Sequence, residues 1–274
     1  MKKDYKIIFI DIDQTLRNDE KQVTERTRKS IEQIKSLGVT VVLCTGRSRG
    51  IALEISKESM TSPYIIDSSG AEVYDVEKDR SIFATSISKE DCCHISEISK
   101  KYKLQYFINS GPKRAVNHSM RLHGDEVILE DMDQFIKDNR IDQFVLTSSN
   151  YDEIRLAMAE LEALEGVTLI NRSKCFDNPN LPIPSYLYCD VVATNTSKGT
   201  AVKKLCEYLN IPVETSIGIG DNLNDIQMLE AVNLKVAMGN SVDRIKEKAN
   251  IITASNNEDG VALFLEDLYN ELKK

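Results

Sequence analysis

Ile7-Ile8-Phe9-Ile10-Asp11-Ile12-Asp13-Gln14-Thr15 is a short apolar run that breaks abruptly into acids. Far along the chain, Ile217-Gly218-Ile219-Gly220-Asp221-Asn222-Leu223-Asn224-Asp225 does the same. A continuous apolar run of this length reads as a strand buried on both faces of a parallel sheet. Ligands of such sheets bind in the crevice beyond the carboxyl ends of the strands, so both acidic clusters are expected on one rim. Carboxylates crowded there repel one another unless positive charge sits among them. Mg²⁺, which takes hard oxygen ligands, meets that need.

Around the first run, strand and helix alternate. A helical pattern opens at Val23-Thr24 and runs to Leu37, with Ile31, Ile34 and Leu37 on one face, and Gly38 ends it. Strands are predicted at 39–43 and 64–66, a helix at 49–59, and a short extended piece at 72–75. Near 82–88 the texture changes. Helical patterns at 89–102, 131–138 and 152–164 and strand-like runs at 104–108, 144–147 and 167–170 follow, and then a turn-rich stretch from Asn178 to Pro184. The first pattern resumes with a helix at 200–209, strands at 216–219, 235–238 and 251–253, and a closing helix at 260–272. The fold class that follows is α/β: a doubly wound parallel, Rossmann-like sheet core from residues 1–84 and 190–274, with an α+β cap domain inserted at 85–189.

Composition narrows the function. The 274 residues are 41% hydrophobic and 28% charged, enough for two domains with real cores. No apolar stretch approaches the roughly 20 residues of a spanning helix. The chain enters its first strand at once, leaving no room for a signal peptide. The expectation is a cytoplasmic protein with no membrane partner. Six scattered cysteines without a C-x-x-C pair read as reduced thiols rather than disulfides or a zinc site. A net charge of −8 argues against a nucleic-acid partner. It also means that an anionic substrate needs positive charge supplied locally.

Four motifs carry chemistry. Asp11 and Asp13, two residues apart on a chain leaving a strand, suit a division of labour in which one attacks a phosphorus centre and the other moves protons. Two solvated loop acids are the plainer reading. Thr45-Gly46-Arg47 offers a hydroxyl, a backbone N–H and a helix start, which make either an anion cradle or an ordinary N-cap. Lys198 opens a helix just after the inserted segment, placed either for solvation or to pair with Asp11 and a phosphate. The Asp221–Asp225 turn brings two carboxylates and the Asn224 amide together. An EF-hand reading fails there because Leu223 takes the third position. In the inserted segment, Lys113-Arg114, His118, Arg121 and His123 form a basic stretch, read as a solvated loop or as contacts to a leaving group.

Taken together and in this order, the four motifs resemble the haloacid dehalogenase-like (HAD) superfamily of phosphotransferases, and more closely its Cof-like subfamily of Mg²⁺-dependent phosphatases. The subfamily's tail pattern is matched by Ala237-Met238-Gly239-Asn240, Lys248-Ala249, Thr253 and Asn256-Asn257-Glu258-Asp259-Gly260-Val261. The resemblance implies that Asp11 is the nucleophile, forming an aspartyl-phosphate, and that Asp13 is the general acid/base. It implies Mg²⁺ held by Asp11, Asp221 and the backbone carbonyl of Asp13, with Asp225 supporting the metal. The Ile12 backbone, Thr45, Gly46, Lys198 and Asn224 would bind phosphate. Apart from the resemblance, the basic stretch of the insert leaves two readings open, in which Arg114, His118, Arg121 and His123 either contact the substrate's leaving group or form a solvated loop. Two positions depart from the pattern: Gln14 stands where Gly is usual, and Ser69 stands where Asn is usual before Gly70-Ala71. The expectation is a phosphatase of a small phosphorylated metabolite, a sugar phosphate or similar, working as a monomer or weak homo-oligomer. A phosphomutase on the same scaffold and a non-catalytic phosphate-ester sensor are the other readings.

Overall fold

Every side chain of the first strand, β1 (Ile7–Ile10), is fully buried, and its two faces feed two different cores. The computed structural model describes residues 4–117, 126–129, 131–176 and 180–274. After β1 come α1 (Glu25–Ser36), β2 (Thr40–Cys44), α2 (Arg49–Ser59), β3 (Tyr64–Asp67), β4 (Glu72–Asp75) and β5 (Arg80–Ala84). Then follow α3 (Lys89–Lys101), β6 (Gln105–Ser110), β7 (Lys113–Val116), β8 (Glu126–Ile128), α4 (Met132–Asp138), β9 (Gln143–Ser148), α5 (Tyr151–Leu161), β10 (Val167–Arg172) and β11 (Leu187–Ala193). The last part holds α6 (Lys198–Leu209), β12 (Ser216–Gly220), α7 (Ile226–Ala231), β13 (Leu234–Ala237), α8 (Asp243–Lys248), β14 (Ile251–Ile252) and α9 (Gly260–Leu272).

The chain divides into two units, one of residues up to Arg47, Ile51–Ala84 and Ser197–Lys274, the other of Ser48–Gly50 and Thr85–Thr196. The second unit runs on past residue 189 because β11 pairs antiparallel with both β9 and β10.

In the first unit, eight strands lie in the order β14-β13-β12-β1-β2-β3-β4-β5. The pairs from β14 to β3 are parallel, while β4 and β5 form an antiparallel edge that the sequence pattern did not distinguish. Ile8 and Ile10 pack with Ile31 and Ile34 of α1 and with Phe264 and Leu265 of α9. Ile7 and Phe9 pack on the opposite face with Val202 and Leu205 of α6 and Met228 of α7. Helices therefore cover both faces, as a parallel sheet requires. Thr24 caps α1 by accepting the Thr27 N–H, and Gly38, at φ 83, lets the chain turn away. Leu37, expected on the buried face, is 37% exposed, because it is the C-cap rather than part of the apolar stripe.

Strand β12 corrects the simple reading of an all-apolar run. Ile217 and Ile219 fill one core, while Gly218 and Gly220 face the other way. A Cβ on Gly218 would stand 3.0 Å from Val232, just beyond α7, and one on Gly220 would stand 2.7 Å from Asp225. The alternation thus buries one face of the strand conventionally and lets α7 and Asp225 approach the other closely.

The second unit holds a six-stranded sheet, β10-β11-β9-β6-β7-β8, antiparallel except for β7 with β8. Helices α3, α4 and α5 pack on one face through Ile95, Ile136, Ile154 and Leu161 against Tyr106, Ile108, Phe144 and Leu146. Strands β7, β8 and β11 are additions to the sequence-based expectation, and Lys113 and Arg114, whose run suits a solvated loop, lie on β7. Among the described residues, no helix is long and apolar enough to cross a membrane.

Candidate active site

Strands β1 and β12 are parallel neighbours, with Ile10 level with Ile219. The chain therefore leaves both strands at the same height, at the switch point of the sheet, where β1 has β2 on one side and β12 on the other. The Asp11 N–H donates to the Ile219 carbonyl at 3.0 Å, which holds the first acid beside the second strand's exit. Asp221 is the residue after β12 and is 2% exposed.

Asp225 shapes the turn between Asp221 and α7. One of its carboxylate oxygens accepts the backbone N–H groups of Asp221 at 3.0 Å and Asn222 at 3.1 Å. The other accepts from the Lys198 ammonium at 2.6 Å. Lys198 is the first residue of α6, with Ser197 as N-cap, and it is buried. Its Nζ also donates to Asp11 Oδ1 at 2.5 Å. Gly199 makes this possible: any Cβ there would stand 2.3 Å from the Gln227 carbonyl of α7, so α6 and α7 meet closely at that point.

Ligand oxygens of Asp11, Asp221 and Asp225 lie within 4.8 Å of one another, all buried. Two of the three carboxylates, those of Asp11 and Asp225, thus share the Lys198 ammonium. Burial pushes the Asp11 carboxyl well above its ordinary range; Lys198 opposes this, while Asp225 and Asp221 add to it. Burial alone would push Lys198 down, but Asp11 and Asp225 outweigh it and hold the ammonium well above its usual pKa. The surplus negative charge, the hard oxygen donors and their mutual spacing fit a divalent cation such as Mg²⁺. Asp225 already accepts three hydrogen bonds, one from Lys198 and two from the backbone of its own turn. Asp225, expected to support the metal from behind, stands in the carboxylate cluster itself and is held there by its own hydrogen bonds.

The Asp13 carboxylate lies outside that cluster and faces Arg47, which grips it with two hydrogen bonds of 2.8 Å each. Burial works against ionisation, but the Arg47 pair, helped by Arg17 and Lys198, holds Asp13 below its ordinary pKa. Such a depressed group contributes stability above its unfolded pKa and loses it as pH falls through the folded value. Replacing Arg47 by leucine is expected to raise the Asp13 pKa toward the ordinary carboxylate range. Carboxyl-carbon NMR titration would read this as an upward shift, and an unmoved titration would contradict the pairing.

Thr45 is buried directly after β2, and its hydroxyl accepts the Arg47 N–H at 3.1 Å. Gly46 lies between them, and Ile12 is fully buried between the two acids. Asn224 Oδ1 is buried without a hydrogen-bond partner among the described residues, an acceptor turned in beside the acidic turn. In the second unit, Arg114 sits on β7 over the Phe107 ring, 4.2 Å from its centroid. His118, Arg121 and His123 fall outside the described residues.

Two further side chains hold the site together, and no sequence pattern marks them. Thr15 donates its hydroxyl to Asp221 Oδ1 at 2.8 Å, tying the two acidic segments together. Arg47 is the other, as the partner of Asp13. Neither has a local signal, because both act through contacts between distant segments. The two departures also gain a physical meaning: Gln14 has φ 62 and Ser69 φ 60, left-handed conformations that Gly and Asn adopt more readily.

A profile of haloacid dehalogenase-like hydrolases matches residues 8–265. A 5-amino-6-(5-phospho-D-ribitylamino)uracil phosphatase of Bacillus subtilis is 30% identical over 260 residues, covering 94% of each chain. A second phosphatase of the same organism is 29% identical over 290 residues, covering 96% of this chain and 99% of the relative. A solved haloacid dehalogenase-like hydrolase from B. subtilis superposes with a TM-score of 0.83 at 24% identity, covering 96% of this chain and 99% of that one.

Proposed function

The chain belongs to the haloacid dehalogenase-like hydrolase family and is a phosphatase, and from that premise we propose that it is a Mg²⁺-dependent phosphatase of small phosphorylated metabolites that works through an aspartyl-phosphate on Asp11. The observation that carries the reading is the buried Lys198 ammonium held between Asp11 and Asp225, beside Asp221. Such a cluster is costly to bury and is retained where charge must be focused on a reacting group.

One Asp11 oxygen is fixed by Lys198, which leaves the other to attack phosphorus. Asp13 protonates the departing oxygen and then takes a proton from the water that attacks the aspartyl-phosphate. The Arg47 pair keeps Asp13 in the ionised state that this second step needs. For the first step an incoming anion must draw Arg47 away, so that Asp13 can carry a proton. Lys198, the Thr45 hydroxyl, the Gly46 and Ile12 backbone N–H groups and Asn224 hold the phosphoryl oxygens. Asp11, Asp221 and the Asp13 carbonyl would hold Mg²⁺, which when bound supplies the positive charge that lets an anionic nucleophile meet an anionic phosphate.

The substrate is read as a sugar phosphate or a similar phosphate monoester free in the cytoplasm, met by a monomer or weak homo-oligomer without nucleic acid or membrane as partner. The ribitylamino phosphate named for the B. subtilis relative belongs on the list to be tried. A panel of phosphorylated metabolites, assayed with Mg²⁺ and with a chelator, tests this. Release of inorganic phosphate that is lost on chelation is the expected result. Isomer formation without phosphate release would point instead to a mutase, and binding without turnover to a sensor.

A further inference from the structure

The loop after Asp13 is held from a direction that none of the catalytic steps uses. Gln14 is an exposed residue in the left-handed region, a conformation that costs a non-glycine residue about 1–2 kcal/mol. Its carbonyl accepts a hydrogen bond from Asn240 Nδ2 at 2.9 Å. The Asn240 side-chain oxygen in turn accepts the Asn256 N–H at 2.9 Å. Asn256, only 7% exposed, donates its side-chain NH₂ to the Arg17 carbonyl at 3.2 Å and to Asp19 Oδ1 at 3.1 Å. Asn257 completes the set by exchanging two hydrogen bonds with Asp19. Three asparagines near the end of the chain thus grip the backbone on both sides of Thr15, whose hydroxyl is bonded to Asp221.

We infer that Asn240 and Asn256 are positioning residues: they clamp residues 14–17 from outside, so that Asp13 and Thr15 are presented to the carboxylate cluster. Within the loop, Leu16 N–H donates to the Asp11 carbonyl at 3.2 Å and Arg17 N–H to the Ile12 carbonyl at 3.0 Å. These bonds close the turn but none of them anchors the Gln14 carbonyl. Asn240 supplies that anchor, and Asn256 holds Asn240 in place. The clamp offsets the strain at Gln14 by fixing the carbonyl that a left-handed residue would otherwise swing away. Its kinetic consequence rests on the phosphatase reading; its effect on the loop does not.

The full-length chain tests this through two readouts on Asn240→Ala: turnover of p-nitrophenyl phosphate with Mg²⁺, and amide hydrogen exchange of the peptide spanning Asp13–Arg17. Asn240 is exposed, so the variant keeps the fold. The expected results are a fall in kcat of about tenfold with KM within about threefold, and faster exchange in that peptide. Asn240→Asp keeps the acceptor for Asn256 and loses the donor to Gln14, so it should behave like the alanine variant. In a Gln14→Gly background, where the left-handed conformation is unstrained, the Asn240→Ala loss should shrink to less than about threefold. Equal losses in both backgrounds, or unchanged exchange, would overturn the clamp. Faster exchange in Asn240→Ala when the wild-type chain does not turn over p-nitrophenyl phosphate would support the clamp while removing its kinetic consequence for that ester.

Discussion

Replacing Lys198 by methionine is expected to abolish turnover, by at least about 10³-fold, and to destabilise the metal-free protein by about 3–5 kcal/mol. Both effects come from one atom. Among the described residues, the Lys198 ammonium is the single cation bonded to Asp11, at 2.5 Å, and to Asp225, at 2.6 Å, and the side chain is 1% exposed. Methionine fills the same volume without charge, so the variant isolates electrostatics from packing. The variant leaves three buried carboxylates with no ammonium between them. Asp11, whose carboxyl burial already pushes up, then loses the ammonium that opposes that shift and holds a proton more tightly in the folded than in the unfolded state. Variant stability should therefore be highest in mild acid and fall as pH rises above the ordinary carboxylate pKa of about 3.9. Added Mg²⁺ should recover part of the loss at neutral pH, since a ligand that binds only the folded state stabilises it. Chemical denaturation with and without Mg²⁺ measures this, and an unchanged midpoint would contradict the role given to Lys198.

Asp11→Asn should match that loss of activity but leave stability intact. Turnover is expected to fall roughly 10⁴-fold or more, because the amide cannot attack phosphorus. The metal-free variant should be as stable as the wild type or more so. Burial and the neighbouring Asp225 and Asp221 already push the Asp11 carboxyl up, and the amide removes that repulsion while still accepting from Lys198. The two variants thus agree in activity and diverge in stability. Mg²⁺-dependent hydrolysis within tenfold of wild type in Asp11→Asn would remove the nucleophile assignment.

The parts of the fold that the sequence made legible are those with a local pattern. The Ile7–Ile10 run, the Ile31/Ile34 spacing and the turn at Gly38 each carry their own period or breaker, and α2 lies where its pattern placed it. Strand β7 escaped because Lys113-Arg114 resembles a loop until pairing across the sheet is known, and β11 because its apolar run is broken by Asp190 and follows directly on the turn-rich stretch ending at Pro184. In the site, the acids after β1 and β12 could be read because both follow apolar runs. Thr15, Arg47, Asn240 and Asn256 could not be assigned a role in the same way. Each acts by a hydrogen bond to a distant segment, and nothing in its immediate neighbours encodes that partner. Gln14 and Ser69 are instructive for the same reason. As letters they are departures; as backbone they sit at φ 62 and φ 60, which explains why other residue types suit those positions.

Phosphate is expected to pass through a covalent bond to Asp11. Acid-quenching the wild-type chain during turnover, reducing it with borohydride and mapping its peptides tests this most directly, because an aspartyl-phosphate is converted to homoserine at the modified position. Homoserine at position 11, absent without substrate, is the expected result. An unmodified Asp11 in a protein caught while releasing phosphate, or modification at another carboxylate, would exclude Asp11 as the nucleophile.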